Sequence, residues 1–130
     1  MPKQARILCI EDEPYLREDL VDELRDHGYH VLEASDGLAG LAAILENQLD
    51  LVLCDVQLPG LGGSDVLQRV REHAAGQSHV PFIFLTAYGE RTCEQLREKA
   101  GVTHCLVKPV DYGALLALIE RILVDETRRA

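Results

Sequence analysis

Five short apolar runs punctuate the chain: ILCI at 7–10, HVLEA at 30–34, LVLC at 51–54, FIFL at 82–85 and CLV at 105–107. The segments between them carry apolar residues at helical spacing. Leu16, Leu20 and Leu24 with Val21 make one stripe; Leu38, Leu41, Ala42 and Leu45 a second; Val66, Leu67 and Val70 a third; Leu115, Leu118, Ile119 and Ile122 the last. The stretch from Gly89 to Ala100 is the weakest helix, with Cys93, Leu96 and Ala100 as its apolar face. Local signals mark the ends: Pro14 suits a first turn, Asp36 and Asp111 suit caps, and Gly28 and Gly101 suit helix exits.

Strand and helix thus alternate five times, which predicts an α/β fold with a parallel sheet covered by helices on both faces. ILCI, LVLC and FIFL are apolar throughout, as strands buried on both faces require. The chain shows no internal repeat, low-complexity tract or long linker. DETRRA at 125–130 is charged and lacks apolar anchors, so one domain is expected over 1–125, with 126–130 a tail or the start of a linker.

Composition narrows the partners. With 130 residues and 47% hydrophobic content, the chain can build a core without disulfides or a structural metal. A formal charge of −9 and a pI near 4.9 disfavour binding to nucleic-acid phosphates or anionic lipid, and favour a protein or small-molecule partner. The start MPKQARILCI has no signal-like apolar core, and no segment is long enough to span a bilayer, so a cytoplasmic location is expected. Cys9, Cys54, Cys93 and Cys105 show no C-x-x-C spacing and sit mostly within apolar runs. They read as buried, reduced thiols rather than a metal or redox site.

In an open parallel sheet, ligands bind beyond the carboxyl ends of the strands. Strand one delivers Glu11, Asp12 and Glu13 to that edge, strand three Asp55, strand four Thr86 and Ala87, and strand five Lys108 and Pro109. Singly, each has an ordinary role: Asp12 as a helix cap, Thr86 in a loop hydrogen bond, Lys108 as a solvated charge. Jointly they do not, because crowded carboxylates repel one another unless a cation sits among them. Carboxylates without nitrogen or sulfur ligands suit Mg²⁺, which shares its shell with water and phosphate. A lysine and a hydroxyl complete a phosphoryl-binding set, with Asp55 as an in-line nucleophile.

CIEDEP after strand one, LCDVQLPGLGG around Asp55, FLTA at 84–87 and LVKP at 106–109 occur in an order and at separations that resemble the receiver domains of two-component response regulators. The resemblance covers nearly the whole chain and implies a flavodoxin-like doubly wound sheet of order 2-1-3-4-5 with five helices. It implies that Asp55 is the phosphoacceptor, that Asp12 binds Mg²⁺ directly with Glu11 assisting through water, and that the Gln57 carbonyl joins the metal shell. Lys108 would contact Asp55 and the phosphoryl group; Thr86 and the Ala87 amide would bind a phosphoryl oxygen; Pro109 would follow a cis peptide bond. Phosphorylation would then reset the loop after strand four and the weak fourth helix.

Two positions depart from the family pattern. Cys105 stands where an aromatic is common, three residues before the lysine, and Gly62 replaces a frequent acid. Tyr88 and Gln57 flank the path of an attacking water and would tune the lifetime of the phosphate. The resemblance implies a regulatory phosphoacceptor rather than an enzyme with a separate substrate. It also implies a sensor histidine kinase or phosphotransfer protein as donor, and an effector domain or partner protein as target, with a homodimer through the fourth and fifth helices as a further option. An aspartate-nucleophile phosphatase is the rival, but it needs a second acid where Gln57 stands. A binding module that has lost phosphorylation is the third reading, opposed by the presence of Glu11, Asp12, Asp55, Thr86 and Lys108 together.

Overall fold

The runs that are apolar throughout become the centre of the sheet. In the computed structural model, which describes residues 4–73, 79–100 and 104–129, β1 (Arg6–Ile10), β3 (Leu51–Asp55) and β4 (Phe82–Thr86) lie side by side. β2 (His30–Ala34), whose pattern carries polar residues, and the short β5 (Cys105–Val107) take the edges, where only one neighbour is needed. All neighbouring pairs are parallel and the order is β2-β1-β3-β4-β5, as expected.

Because successive side chains on a strand point to opposite faces, the apolar strands feed two cores. Ile7, Cys9, Leu51, Leu53, Ile83 and Leu85 face α1 (Pro14–Asp26) and α5 (Tyr112–Arg129). Leu8, Ile10, Val52, Cys54, Phe82 and Phe84 face α2 (Gly37–Glu46), α3 (Gly63–His73) and α4 (Glu90–Ala100). The expected stripe of α3 is buried, α1 buries Leu20, Val21 and Leu24 with Leu16 partly covered, and α5 buries Leu115, Ile119 and Ile122 with Leu118 partly covered. Pro14 opens α1, Asp36 and Asp111 accept from the Ala39 and Ala114 amides, and Gly28 adopts a positive φ after α1. Gly101 lies outside the described residues, as does the side chain of Ala100.

Four expectations change. In α2, Leu38 and Leu45 are exposed and the buried face is Gly37, Gly40 and Ile44. The reason is close approach: a Cβ on Gly40 would lie 2.4 Å from Cδ1 of Ile10, so the helix turns its glycines, not its leucines, toward the sheet. Residues 126–129, read as tail or linker, continue α5. α1 is capped by Glu13 rather than Asp12, its carboxylate accepting from the Tyr15 and Leu16 amides. Finally, the cysteines are not all free thiols. Cys93 of α4 and Cys105 of β5 form a disulfide, with Cα atoms 5.6 Å apart, because packing α4 on β5 brings both into one buried layer.

Cys9 and Cys54 remain free and buried. Burial pushes the Cys9 thiol up to about 12, aided by the nearby Glu11 carboxylate, and likewise holds Cys54 well above its ordinary value. Both are therefore protonated at pH 8, and the thiolate is the reactive species. The folded protein should leave Cys9 and Cys54 unmodified by iodoacetamide at pH 8 and yield both only on unfolding, as peptide mass mapping would read; labelling of either in the folded state would contradict this.

Candidate functional site

Parallel strands joined by helical crossovers bring their carboxyl ends to one edge, and here that edge gathers residues far apart in sequence. Asp55 ends β3, Thr86 ends β4, Glu11 and Asp12 follow β1, and Lys108 follows β5. The turn after β3 depends on Gly63, where a Cβ would fall 2.4 Å from the Asp55 carbonyl oxygen and 2.9 Å from the Phe84 ring. Glycine there lets α3 start directly beneath the end of the strand.

Lys108 is the hub. Its ammonium donates to Oδ2 of Asp55 at 2.9 Å and to Oε1 of Glu11 at 3.0 Å, joining two carboxylates that are 4% and 1% exposed. Its backbone amide donates to the Thr86 carbonyl at 2.7 Å, and the Lys108–Pro109 peptide bond is cis, as expected. Burial opposes the lysine charge, but the hydrogen bonds and charges of Asp55 and Glu11 outweigh it and hold its pKa above the ordinary value. Burial is also the main cause that raises Glu11, to about 7, against the Glu13 amide and the Lys108 ammonium, which favour its charged form.

The remaining contacts orient the site. Oδ1 of Asp55 accepts from the Gln57 amide at 3.0 Å. The Gln57 side-chain amide reaches across to the Thr86 hydroxyl, 3.3 Å from its nitrogen and 3.4 Å from its oxygen, and that hydroxyl also accepts from the Tyr88 amide at 3.1 Å. Thr86 is fully buried, whereas Ala87 and Asp12 are exposed. Arg17 donates to the Glu11 carbonyl at 2.8 Å, steadying the start of the loop after β1.

Glu11, Asp12 and Asp55 each offer one carboxylate oxygen, and these atoms lie within 4.8 Å of one another. Three acidic groups against the single Lys108 ammonium leave an excess of negative charge, and the donors are all hard oxygens. The residues therefore fit a hard divalent cation such as Mg²⁺.

Glu11, Asp12, Asp55, Thr86 and Lys108 thus reach one edge of the sheet, with Lys108 bonded to both Glu11 and Asp55. The part of Glu11 not read from the sequence is its bond to Lys108, which with its burial makes it a fixed member of the charge cluster. The apolar ILCI immediately before it was the available signal. The Gln57–Thr86 contact was not read, because it joins loops 29 positions apart that only the folded sheet brings together, and neither was the local contact of Arg17 with the Glu11 carbonyl.

Comparisons with known proteins agree on one family. A model described as the response regulator receiver domain matches residues 7–120. The chain is 35% identical over 123 residues to the transcriptional regulatory protein CseB of Streptomyces avermitilis, covering 95% of this chain and 51% of CseB. It is 34% identical over 119 residues to protein PilH of Pseudomonas aeruginosa, covering 92% of this chain and 98% of PilH. The chain therefore spans about half the length of CseB and nearly all of PilH. The receiver domain of the sensor histidine kinase PA1611 from Pseudomonas aeruginosa, solved with a magnesium ion coordinated in its active-site cleft, matches with a TM-score of 0.83 at 28% identity, covering 93% of this chain and 98% of that one.

Removing the hub exposes the cost of burying its partners. Lys108→Met keeps the stem but leaves Asp55 and Glu11 without their ammonium, and breaking such a pair should destabilise the fold by roughly 3 kcal/mol at pH 8 in chelator, the lower end of the usual range because Lys108 is partly solvated. Urea unfolding of the two proteins would measure it; equal midpoints would mean that the cluster is balanced without the lysine.

Proposed function

The chain belongs to the response regulator receiver domain family, and from that premise we propose that it accepts a phosphoryl group on Asp55 from a sensor histidine kinase or histidine phosphotransfer protein. The observation that carries this reading is the Lys108 ammonium on Oδ2 of a buried, strand-ending Asp55 with two further carboxylates in reach. An Asp55 oxygen attacks phosphorus, the new O–P bond gives an acyl phosphate, and the P–N bond to the donor imidazole breaks, with the leaving nitrogen taking up a proton.

Asp12, Glu11, Asp55 and the Gln57 carbonyl would hold Mg²⁺, a reading supported by the clustered oxygens and by the magnesium in the PA1611 receiver domain. When bound, the ion supplies positive charge against the transferring group. Lys108 supplies a second positive charge, and Thr86 with the Ala87 amide binds a phosphoryl oxygen. Thr86 must leave Gln57 and Tyr88 to do so, which draws on the loop that leads into α4.

Residues 1–125 are taken as the signalling unit, acting in the cytoplasm. The domain turns over no separate substrate; it assists its own phosphorylation and dephosphorylation. Its output runs through the surface of α4, β5 and α5 to an effector domain or partner protein, or to a second copy, and involves no direct contact of this domain with nucleic acid or membrane. No helix among the described residues is long and apolar enough to cross a membrane.

Incubation with Mg²⁺ and acetyl phosphate should add the mass of one phosphoryl group to the protein, lost with chelator and in Asp55→Asn. An unchanged mass, or an equal gain in Asp55→Asn, would overturn the assignment.

A further inference from the structure

We propose that Cys93 and Cys105 are a reversible thiol–disulfide site that fastens α4 to β5 and sets how far that segment answers a charge at Asp55. The coupling to Asp55 rests on the function proposed above; the redox site itself does not.

The pair joins two elements that are otherwise lightly anchored. Among the described side chains of α4, only Cys93 and Leu96 are buried, and β5 is a three-residue edge strand bonded only to β4. The bond spans 12 positions of sequence and links the helix that follows Thr86 to the strand that precedes Lys108. Cys105 is in register with Phe84, and Val107 with Thr86. A change at the sulfurs therefore acts on a segment whose two ends enter the Asp55 site. The fold does not need the bond for its existence, since two apolar layers of ordinary size flank the sheet. The other two thiols, Cys9 and Cys54, sit in the inner strands β1 and β3, free and buried, so among the described residues the pairing is confined to the contact of α4 with β5.

The chemistry requires a dithiol reductant and a disulfide oxidant, such as dithiothreitol and glutathione disulfide. Cys105, 8% exposed against none for Cys93, is taken as the sulfur attacked. The reductant's thiolate bonds to the Cys105 sulfur, the Sγ–Sγ bond breaks, and Cys93 departs as a thiolate and is protonated. The reductant's second thiol then displaces Cys105, which is also protonated; two electrons and two protons pass to the pair, and the reductant becomes a disulfide. In reverse, one glutathione disulfide oxidises the two thiols and yields two glutathione thiols.

The test uses the full chain equilibrated in glutathione buffers of graded ratio, quenched in acid, and alkylated with N-ethylmaleimide after unfolding. Of the four cysteines, two should label in the oxidised protein and all four in the reduced protein. A Cys9→Ala/Cys54→Ala variant should keep the transition, and Cys93→Ser and Cys105→Ala should each lose it. A constant count across the buffers, or a pair that dithiothreitol opens only in denaturant, overturns the site. Hydrogen exchange without any phosphoryl donor should find α4 amides about tenfold slower in the oxidised form; equal rates overturn the fastening. With Mg²⁺ and acetyl phosphate, α4 exchange should change in the reduced protein and much less in the oxidised one. An equal response in both overturns the coupling. If Asp55 takes no phosphoryl group while the labelling and exchange differences hold, the function proposed above fails and the redox site stands.

Discussion

The Lys108 ammonium, shared between Glu11 and Asp55, is the interaction on which the site depends. Parallel pairing of β1 with β3 forces the carboxylates that follow Ile10 and Cys54 to the same edge, and both are buried there. Two such anions side by side would repel, and each would prefer its protonated form. The compensating charge comes from beyond β5, two strands from β3, and only a side chain as long as lysine spans that gap. The sheet order, the edge position of β5 and the bond from the Lys108 amide to the Thr86 carbonyl all serve to deliver one ammonium. Asp12 then adds a third carboxylate that the lysine does not neutralise, which leaves oxygens that could hold an added cation.

Much of this was legible from the chain because strand ends are local features. An apolar run followed by an acid or a hydroxyl marks both the strand and the edge to which it points, so Glu11, Asp55, Thr86 and Lys108 could be brought together before any coordinates. What the pattern could not carry was contact between elements. In α2, counting leucines chose the wrong face, because the deciding feature was the room that Ile10 needs over Gly40. The end of α5 looked like a tail because charged residues lack a stripe, yet a helix already anchored by Leu115, Ile119 and Ile122 continues without one. The disulfide escaped notice because cysteine spacing is informative when both ligands lie on one turn, whereas Cys93 and Cys105 meet only when a helix folds back on its neighbouring strand.

The same domain stands beside further sequence in CseB and nearly alone in PilH. Its core is compatible with either setting: both faces of the sheet are covered by its own helices, so an added domain need not complete it. Communication with anything attached must then pass through a surface rather than through shared packing. Among the described side chains of α4 only Cys93 and Leu96 are buried, and Cys93 ties the helix to β5.

The resting contacts around Thr86 indicate how such a shift would be driven. Its hydroxyl is held by one amide hydrogen bond from Tyr88 and by a long contact with the Gln57 side chain, neutral interactions each worth about 1 kcal/mol net. A phosphoryl oxygen on Asp55 would offer a charged acceptor, and such hydrogen bonds are about twice as strong as neutral ones. The exchange is close to balanced, because Thr86 gives up two contacts to gain one that is about twice as strong. A modest driving force suffices for a helix that is weakly attached and fails for one that is tightly held. On the function proposed above, the fastening of α4 to β5 would therefore matter as much to the response as the charge that triggers it.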